Sequence, residues 1–385
     1  MFKIKDKVVY SLGLMSGTSL DGVDIAYCRH ENNKHELIHF KSYPYSNDLK
    51  ERILKASVPS TSTVEDICSL HAELGDVYSD CIEQFLKDFN LSIEDIYFIS
   101  NHGQTIWHIP NETNTHKKST LQIGDASRIS YRFNKIVVYD FRTLDMASGG
   151  VGAPLVPIFD YIYYKEHAPI ILLNIGGISN ITYIPKNAKP SDLVAFDTGP
   201  GNMLIDGVME RLYDMPFDEG GNIAKKGMVS KQLLDYLFND EYYDAPYPKA
   251  TGREKYTNKF IEEILNYANT LKLEKEDIIS TITYFTSFVV KYQIKKFFKG
   301  FNGKLLVSGG GANNKYIVDN LEDEDYQVIL SEDLDVPSDA KEAFAFSVLG
   351  YLRLTNQTSN VKSVTGAKDN LSLGSIILPS IINEE

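Results

Sequence analysis

Two stretches of this chain share one layout, and that layout limits the folds open to it. Residues 8–28, VVYSLGLMSGTSLDGVDIAYC, read as an apolar strand, a loop of glycine and hydroxyl residues, and a second strand. Residues 170–184, IILLNIGGISNITYI, repeat that order around Gly176-Gly177-Ile178-Ser179-Asn180. One such hairpin in each half predicts a duplicated domain with a cleft between the copies. The rest of the chain alternates strands with helices, the pattern of an α/β architecture. Ile67, Leu70, His71, Leu74, Tyr78, Cys81, Ile82 and Phe85 recur at helical spacing and predict a long amphipathic helix from Thr63 to Phe89. IYFISNHGQT reads as a strand closing in a polar turn, and KIVVYDFR as another strand. Helices are predicted near 258–273 and 277–298, and a last one from about Ala340. The strand KLLVSGGGANN carries glycines that open a turn into a further helix.

Composition bounds the partners. The 385 residues leave room for two to three domains at roughly 150 residues each. Lys and Arg number 39 against 52 Asp and Glu, a formal net charge of −13. Nucleic-acid binders carry a basic face, so no nucleic-acid partner is expected. A small anion stays open, because a few backbone N–H groups and one cation hold a phosphate even in an acidic protein. The chain lacks an unbroken run of about 20 apolar residues, so no membrane partner is expected. Lys3, Lys5 and Lys7 precede an apolar stretch from Val8 to Met15, as in a signal peptide. Ser11 and Gly13 break that stretch and it runs into Asp21 and Asp24, so a first strand explains it better. Cys28, Cys68 and Cys81 form no C-x-x-C pair, and their odd number leaves no disulfide framework. Cys68 and Cys81 fall on the stripe of the long helix and are expected as buried free thiols, in a cytoplasmic protein.

The glycine loops carry the chemistry. In Gly17-Thr18-Ser19-Leu20-Asp21-Gly22-Val23-Asp24, glycine permits close backbone approach while hydroxyls and N–H groups donate to phosphate oxygens. No Gly-Lys-Ser/Thr follows and the next segment is a strand, so this is not a Walker A loop. Asp21 is suited to orient a water bound to Mg²⁺, which takes few carboxylates and keeps several waters. A plain hairpin turn also fits this loop taken alone. Gly176, Gly177 and Ser179 form the second loop, suited to the same polyphosphate. Gly309, Gly310 and Gly311 let a strand end approach a flat ligand such as adenine and its ribose. Three glycine loops after three apolar strands favour a nucleotide site.

Asp197 follows the apolar LVAF and precedes Thr198-Gly199-Pro200-Gly201, which predicts a carboxylate at a strand end beside a turn. Such a group serves as a general base or simply accepts backbone N–H bonds, and the local sequence fits both. His102 and Gln104 are candidates for hydrogen bonds to sugar hydroxyls, and Arg142 for a bidentate pair with a substrate carboxylate. A turn-stabilising histidine is the plainer reading of His102. Glu342 opens the last helix, where the helix dipole favours a carboxylate with or without a ligand.

Taken together, GLMSGTSLDGVD, SNHGQTIWH, LQIGD, VYDFRTLDMASGGVGAPLVP, LNIGGISNIT, FDTGPGNMLID, VSGGGANN and the closing VTGA resemble the anhydro-N-acetylmuramic acid kinase family. The blocks run in order from residue 12 to about 379 with no departure in the core motifs. The resemblance implies the fold of actin, hexokinase and the heat-shock ATPases: two related actin/hexokinase-like (ribonuclease H-like) α/β domains around a nucleotide cleft. The expected domains are 1–134 plus 346–385, and an inserted 135–345. It also implies the reaction. Water opens the bridge of 1,6-anhydro-N-acetylmuramic acid, and ATP phosphorylates the released O6 to give N-acetylmuramic acid 6-phosphate. Carried over by motif, Gly17 to Asp24 line the ATP phosphates and Asp197 is the base that activates the water. His102, Gln104, Arg142 and Glu342 are the candidate sugar contacts. ATP and Mg²⁺ are the implied cofactors and a homodimer the implied assembly. An ATPase switch acting on a protein partner, or a kinase for another small molecule, are the competing readings. Neither accounts for FDTGPGN together with the DFR block.

Overall fold

The structure is a computed structural model that describes residue 4 and residues 7–17, 19–252, 255–331, 336–337 and 339–379. Thr18, one of the expected phosphate contacts, lies outside the described residues. The strands in chain order are β1 (Val9–Ser16), β2 (Gly22–Glu31), β3 (Lys34–Pro44), β4 (Ile96–Ile109), β5 (Ser119–Ile123), β6 (Ile136–Tyr139), β7 (Ile170–Ile175), β8 (Ile178–Ile184), β9 (Val194–Pro200), β10 (Lys304–Ser308), β11 (Gln327–Leu330) and β12 (Ser375–Ile377).

The chain divides into two compact units, Met1–Phe159 with Asp339–Glu385, and Asp160–Ser338. The sheet of the first unit runs β12-β6-β4-β1-β2-β3, with β5 paired to β4; that of the second runs β11-β10-β7-β8-β9. In the first unit β1, β2 and β3 form an antiparallel meander, and β4 and then β6 join β1 in parallel. In the second, β7, β8 and β9 form the meander, and β10 and β11 join β7 in parallel. The order β6-β4-β1-β2-β3 matches β11-β10-β7-β8-β9 strand for strand, with β5 and β12 added only in the first unit, so the duplication expected from the paired hairpins is present in the topology. The fold is α/β with two related sheets. The junctions differ from those expected. β6 pairs with β4 and β12, which ties the residues after 134 to the first unit.

Parallel strands covered on both faces read as continuous apolar runs, and β7 (IILLNI) is buried at all but Asn174. In the second unit it packs against the helices Asn202–Tyr213 and Lys275–Phe297 through Leu173, Ile205, Val208, Phe285 and Val289. In the first unit Leu12, Leu14, Val23 and Ile99 meet the buried face of the helix Val64–Asp88, which presents Leu74, Tyr78, Ile82 and Phe85. Thr63 caps that helix, its hydroxyl accepting from Asp66 N–H at 3.0 Å. The helix Lys341–Leu354 is apolar all round and buried from Ala343 to Leu352. It sits directly on β1 because Gly13 has no side chain: a Cβ there would lie 2.1 Å from the Ala343 carbonyl oxygen.

The thiols depart from expectation. Cys28 is buried and Cys81 partly so, but Cys68 is exposed. At 100° per residue Cys68 points about a quarter turn away from the line through Leu74 and Tyr78, beyond the apolar stripe. Among the described residues no helix is long and apolar enough to cross a membrane.

Candidate active site

The loop between β1 and β2 is fastened from below. Gly17 carbonyl accepts from Leu20 N–H at 3.3 Å and from the Gln104 amide at 3.1 Å. Ser16 and Tyr78 hydroxyls are 2.8 Å apart. Leu20 turns the chain in the left-handed region, at φ 60°. Leu20 and Val23 bury their side chains in the core, so only their backbone is available to a ligand. Ser19 and Asp21 are exposed. Burial raises the pKa of Asp24, against a 2.5 Å bond from Ser42 hydroxyl, and Asp339 and Asp21 add like charge. Asp21 in the loop and Asp24 inside β2 repel each other, which favours a cation beside them. Among the described residues no three Asp, Glu, His or Cys gather into a metal cage. The exposed Asp21, with Asp24 near it, is a donor set of few carboxylates open to water, which a hydrated dication would fit.

β4 does not end in a turn at HGQT, as the sequence suggested, but runs on to Ile109. Leu14 faces Asn101 while Ser16 faces Gln104, so β4 carries one extra residue at His102-Gly103. A bulge of this kind re-aims side chains, and Gly103 takes it up at φ 77°. His102 is buried, with Nδ1 donating to Gly103 carbonyl at 2.7 Å and Nε2 accepting from Arg142 Nε at 2.9 Å. Burial and the Arg142 charge hold the imidazole neutral, its pKa well below the usual range. Arg142 also donates to Gly152 carbonyl at 2.8 Å. Burial pushes its pKa down to about 10, and the negative charge of Glu342 works the other way. Burial raises the Glu342 pKa, opposed by Arg142 and helped by Asp24. Thus His102, Arg142, Glu342, Asp24 and Asp21 form one electrostatic neighbourhood, with Gln104 joined to it through Gly17.

Asp145, inside the DFR block, holds the loop that carries Arg142. It is fully buried and accepts from Gly152 N–H at 2.9 Å, Thr365 hydroxyl at 2.8 Å and Asn360 amide at 3.2 Å. This explains why VTGA near the end of the chain accompanies the DFR block.

In the second unit the tip of the β7–β8 hairpin meets the helix Asn202–Tyr213. Gly176 carbonyl accepts from Asn202 N–H at 2.8 Å, and Gly177 carbonyl from Gly201 and Met203 N–H at 2.9 and 3.1 Å. Ser179 turns inward, its hydroxyl 2.5 Å from Thr198 hydroxyl, so it contributes to the sheet and not to the loop surface. Gly309, at φ 80°, and Gly311 let the β10 turn lie on the end of β7: a Cβ on Gly309 would be 2.5 Å from Asn174 Oδ1, and one on Gly311 would be 2.3 Å from Ile175. Gly310 faces a cavity of about 640 Å³ that is also lined by Asn202, Asp206, Glu219, Gly220 and Asn313. Burial pushes Asp206 up to about 6. The sequence reading had not singled out Asp206, although it closes the FDTGPGNMLID block.

Asp197 is not at a strand end. β9 continues to Pro200, and Ser179 faces Gly199 while Asn180 faces Asp197, so Thr198 is an extra residue immediately after it. Asp197 thus also stands beside a bulge. Its Oδ2 accepts from Thr251 N–H at 3.0 Å, its carbonyl from Tyr242 hydroxyl at 2.7 Å, and its N–H donates to Lys249 carbonyl at 3.2 Å. The run KATGRE, residues 249–254, supplies Lys249 and Thr251; that these and Tyr242 stand by Asp197 was not legible in the sequence. Arg253 and Glu254 of that block lie outside the described residues.

The family model described as "Anhydro-N-acetylmuramic acid kinase" matches residues 9–379. The chain belongs to the anhydro-N-acetylmuramic acid kinase family. Its relative of that name from Bacillus thuringiensis (strain Al Hakam) is 42% identical over 97% of this chain and 100% of its own length. The one from Bacillus cereus (strain 03BB102) is 41% identical over the same shares. Members of this family are sugar kinases, and this chain is one of them. Among solved structures, it is similar to an activator of 2-hydroxyisocaproyl-CoA dehydratase from Clostridium difficile, at 13% identity and a TM-score of 0.43 over 90% of this chain and 96% of that one. It is also similar to a ROK family glucokinase from Streptomyces griseus, at 12% identity and a TM-score of 0.37 over 88% and 98%.

Proposed function

We propose that this kinase opens 1,6-anhydro-N-acetylmuramic acid with water and transfers the γ-phosphoryl group of ATP to the released O6. The reading is carried by family membership across residues 9–379. Asp197, with one carboxylate oxygen held by a backbone N–H, agrees with it. In the step proposed, the oxygen of water bonds to C1 while Asp197 takes its proton. The C1–O6 bond breaks toward O6, O6 bonds to the γ-phosphorus, and ADP leaves. Water attack and phosphoryl transfer assist each other, because charge reaches O6 as O6 becomes the nucleophile.

Arg142, with its charge nearly fully developed near neutral pH, pairs with the lactyl carboxylate of the sugar. His102 is a neutral imidazole whose two nitrogens are already engaged, so it acts by orienting Arg142 rather than as an acid or base. Glu342 and Gln104 serve the sugar hydroxyls. The loop from Gly17 to Asp24 and the Gly176-Gly177 turn line the phosphates. Gly309, Gly310 and Gly311, with the cavity beside them, take the adenosine. Asp21, by way of water, with Asp24 beside it, would hold Mg²⁺, which would supply neutralisation of the phosphate charge. The three thiols are free, which agrees with a reducing cytoplasm; the homodimer expected of the family is checked by sedimentation.

Incubation with Mg-ATP and the anhydro sugar is expected to add one phosphoryl group and one water to the sugar, read by mass. Phosphorylation without hydration, or ATP turnover indifferent to the sugar, contradicts the reading. Asp197→Asn is expected to lower kcat by about 10²–10⁴-fold, the usual contribution of a general base, with ATP affinity retained.

A further inference from the structure

The strand that carries Asp197 is the edge of its sheet. An edge strand has unpaired backbone groups and no neighbour to hold its side chains in place. Here the residues from Tyr242 to Thr251 cover it, and that covering segment is gathered around one ammonium group. Lys249 Nζ donates to the carbonyl of Tyr242 at 2.9 Å and reaches that of Tyr243 at 3.4 Å. It stands 4.8 Å from the ring centre of Tyr242, 5.2 Å from that of Phe297 and 5.4 Å from that of Phe196. Phe196 is the residue before Asp197. A cation within about 6 Å of three ring faces, and donating to carbonyls, is attracted from several sides at once. The same segment supplies every contact described above for Asp197: Lys249 carbonyl, Tyr242 hydroxyl and Thr251 N–H.

We propose that Lys249 is a positioning residue for the reaction: its ammonium locks the 242–251 segment onto the edge of β9, and through Thr251 N–H it sets the direction of the Asp197 carboxylate. The proposal rests on the reading of Asp197 as the base. Lys249 touches neither substrate nor reacting atoms in this role. A base displaced by about 1 Å loses on the order of 100-fold in rate, so a lock remote from the chemistry still appears in kcat.

The lock is sensitive to pH. Lys249 is pushed down to about 8, first by burial, then by the positive charge of Lys296, with Lys255 adding and Asp244 opposing. Lys296 is paired with Asp244, Lys255 with Asp240 at 2.5 Å, and the phenols of Tyr242 and Tyr243 complete the surroundings. Loss of the Lys249 proton removes the cation from its ring of aromatic faces, so the rate falls on the alkaline side.

The test is steady-state kinetics of the full chain with Mg-ATP and the anhydro sugar from pH 6 to 10, comparing wild type with Lys249→Met, Tyr242→Phe and Asp197→Asn. Lys249→Met is expected to lower kcat about 10- to 100-fold, leave KM for ATP within about twofold, and abolish the alkaline fall near pH 8. Tyr242→Phe keeps the ring and loses the hydroxyl, so a smaller fall in kcat with the alkaline limb retained is expected. Lys249→Met with a kcat within about twofold of wild type, or with an unchanged alkaline limb, overturns the proposal. Should Lys249→Met fail to give a cooperative thermal transition, Tyr242→Phe decides alone, and an unchanged kcat there overturns it. Asp197→Asn with a near wild-type rate would instead overturn the reading of Asp197 as base.

Discussion

His30 shows how a residue's surroundings, rather than its type, set its chemistry. It is fully buried, with Nε2 2.8 Å from Ser11 hydroxyl and Nδ1 2.8 Å from Nδ1 of His35. Its ring stacks on Tyr351 and Phe98 at 5.1 and 5.8 Å. Burial holds the His30 pKa well below the usual range, with His35 adding, and pushes His35 down to about 4. Unfolded histidines titrate near pH 6.5 or so. Between that value and the folded one, the unfolded chain binds more protons, so the stability present above about pH 6.5 is lost as pH falls toward 4. The expected result is a drop in Tm from pH 7 to pH 5 that shrinks in His35→Phe; an equal drop in both proteins speaks against it. None of this was legible in the sequence, where His30 and His35 stood in a polar-looking stretch. Arg142 and Asp197 were legible as candidates through the DFR and FDTGPGN blocks, although an Asp before a glycine turn serves equally as a plain backbone acceptor. Their partners were not: His102 and Asp145 meet Arg142's loop through contacts that only the folded chain makes.

At the scale of elements, apolar spacing located the helix Val64–Asp88 to within a residue at each end, and both glycine hairpins fell where expected. What escaped was the behaviour of β4 and β9. HGQT and DTGP each contain turn-forming residues, and read alone they end a strand. Neighbouring strands override that tendency, and the glycines instead accommodate a bulge at His102-Gly103 and one at Thr198. The contact between β1 and the helix Lys341–Leu354 is equally a product of tertiary structure. Gly13→Ala places a methyl group 2.1 Å from Ala343 carbonyl oxygen and 2.8 Å from Ser347. Neither atom is the far end of a flexible chain, so helix or strand must move, at a cost of about 1–3 kcal/mol. A Tm lower by several degrees is expected, and an unchanged Tm would mean that the helix shifts freely.

For the whole molecule, the strand order of one unit repeats in the other, while only one of them is continuous in sequence. The first unit lacks part of its core until Lys341–Leu354 and β12 have been made, because these pack on β1 and β6. The second has its whole sheet and both flanking helices within Asp160–Ser338. Expressed alone, residues 160–338 are expected to unfold cooperatively on heating, and residues 1–159 are not; a cooperative transition in the latter contradicts this account. By itself the sequence determined the α/β class, the duplicated hairpin and the family, because glycine loops and apolar periodicity are local and each residue carries its own signal. Only the tertiary structure decided where each unit ends, which hydroxyls turn inward, and that Lys249 and the Thr251 N–H stand by Asp197. Those outcomes depend on which strand lies at a sheet edge and what covers it, and such pairings join residues about 50 positions apart whose separate sequences say nothing of each other.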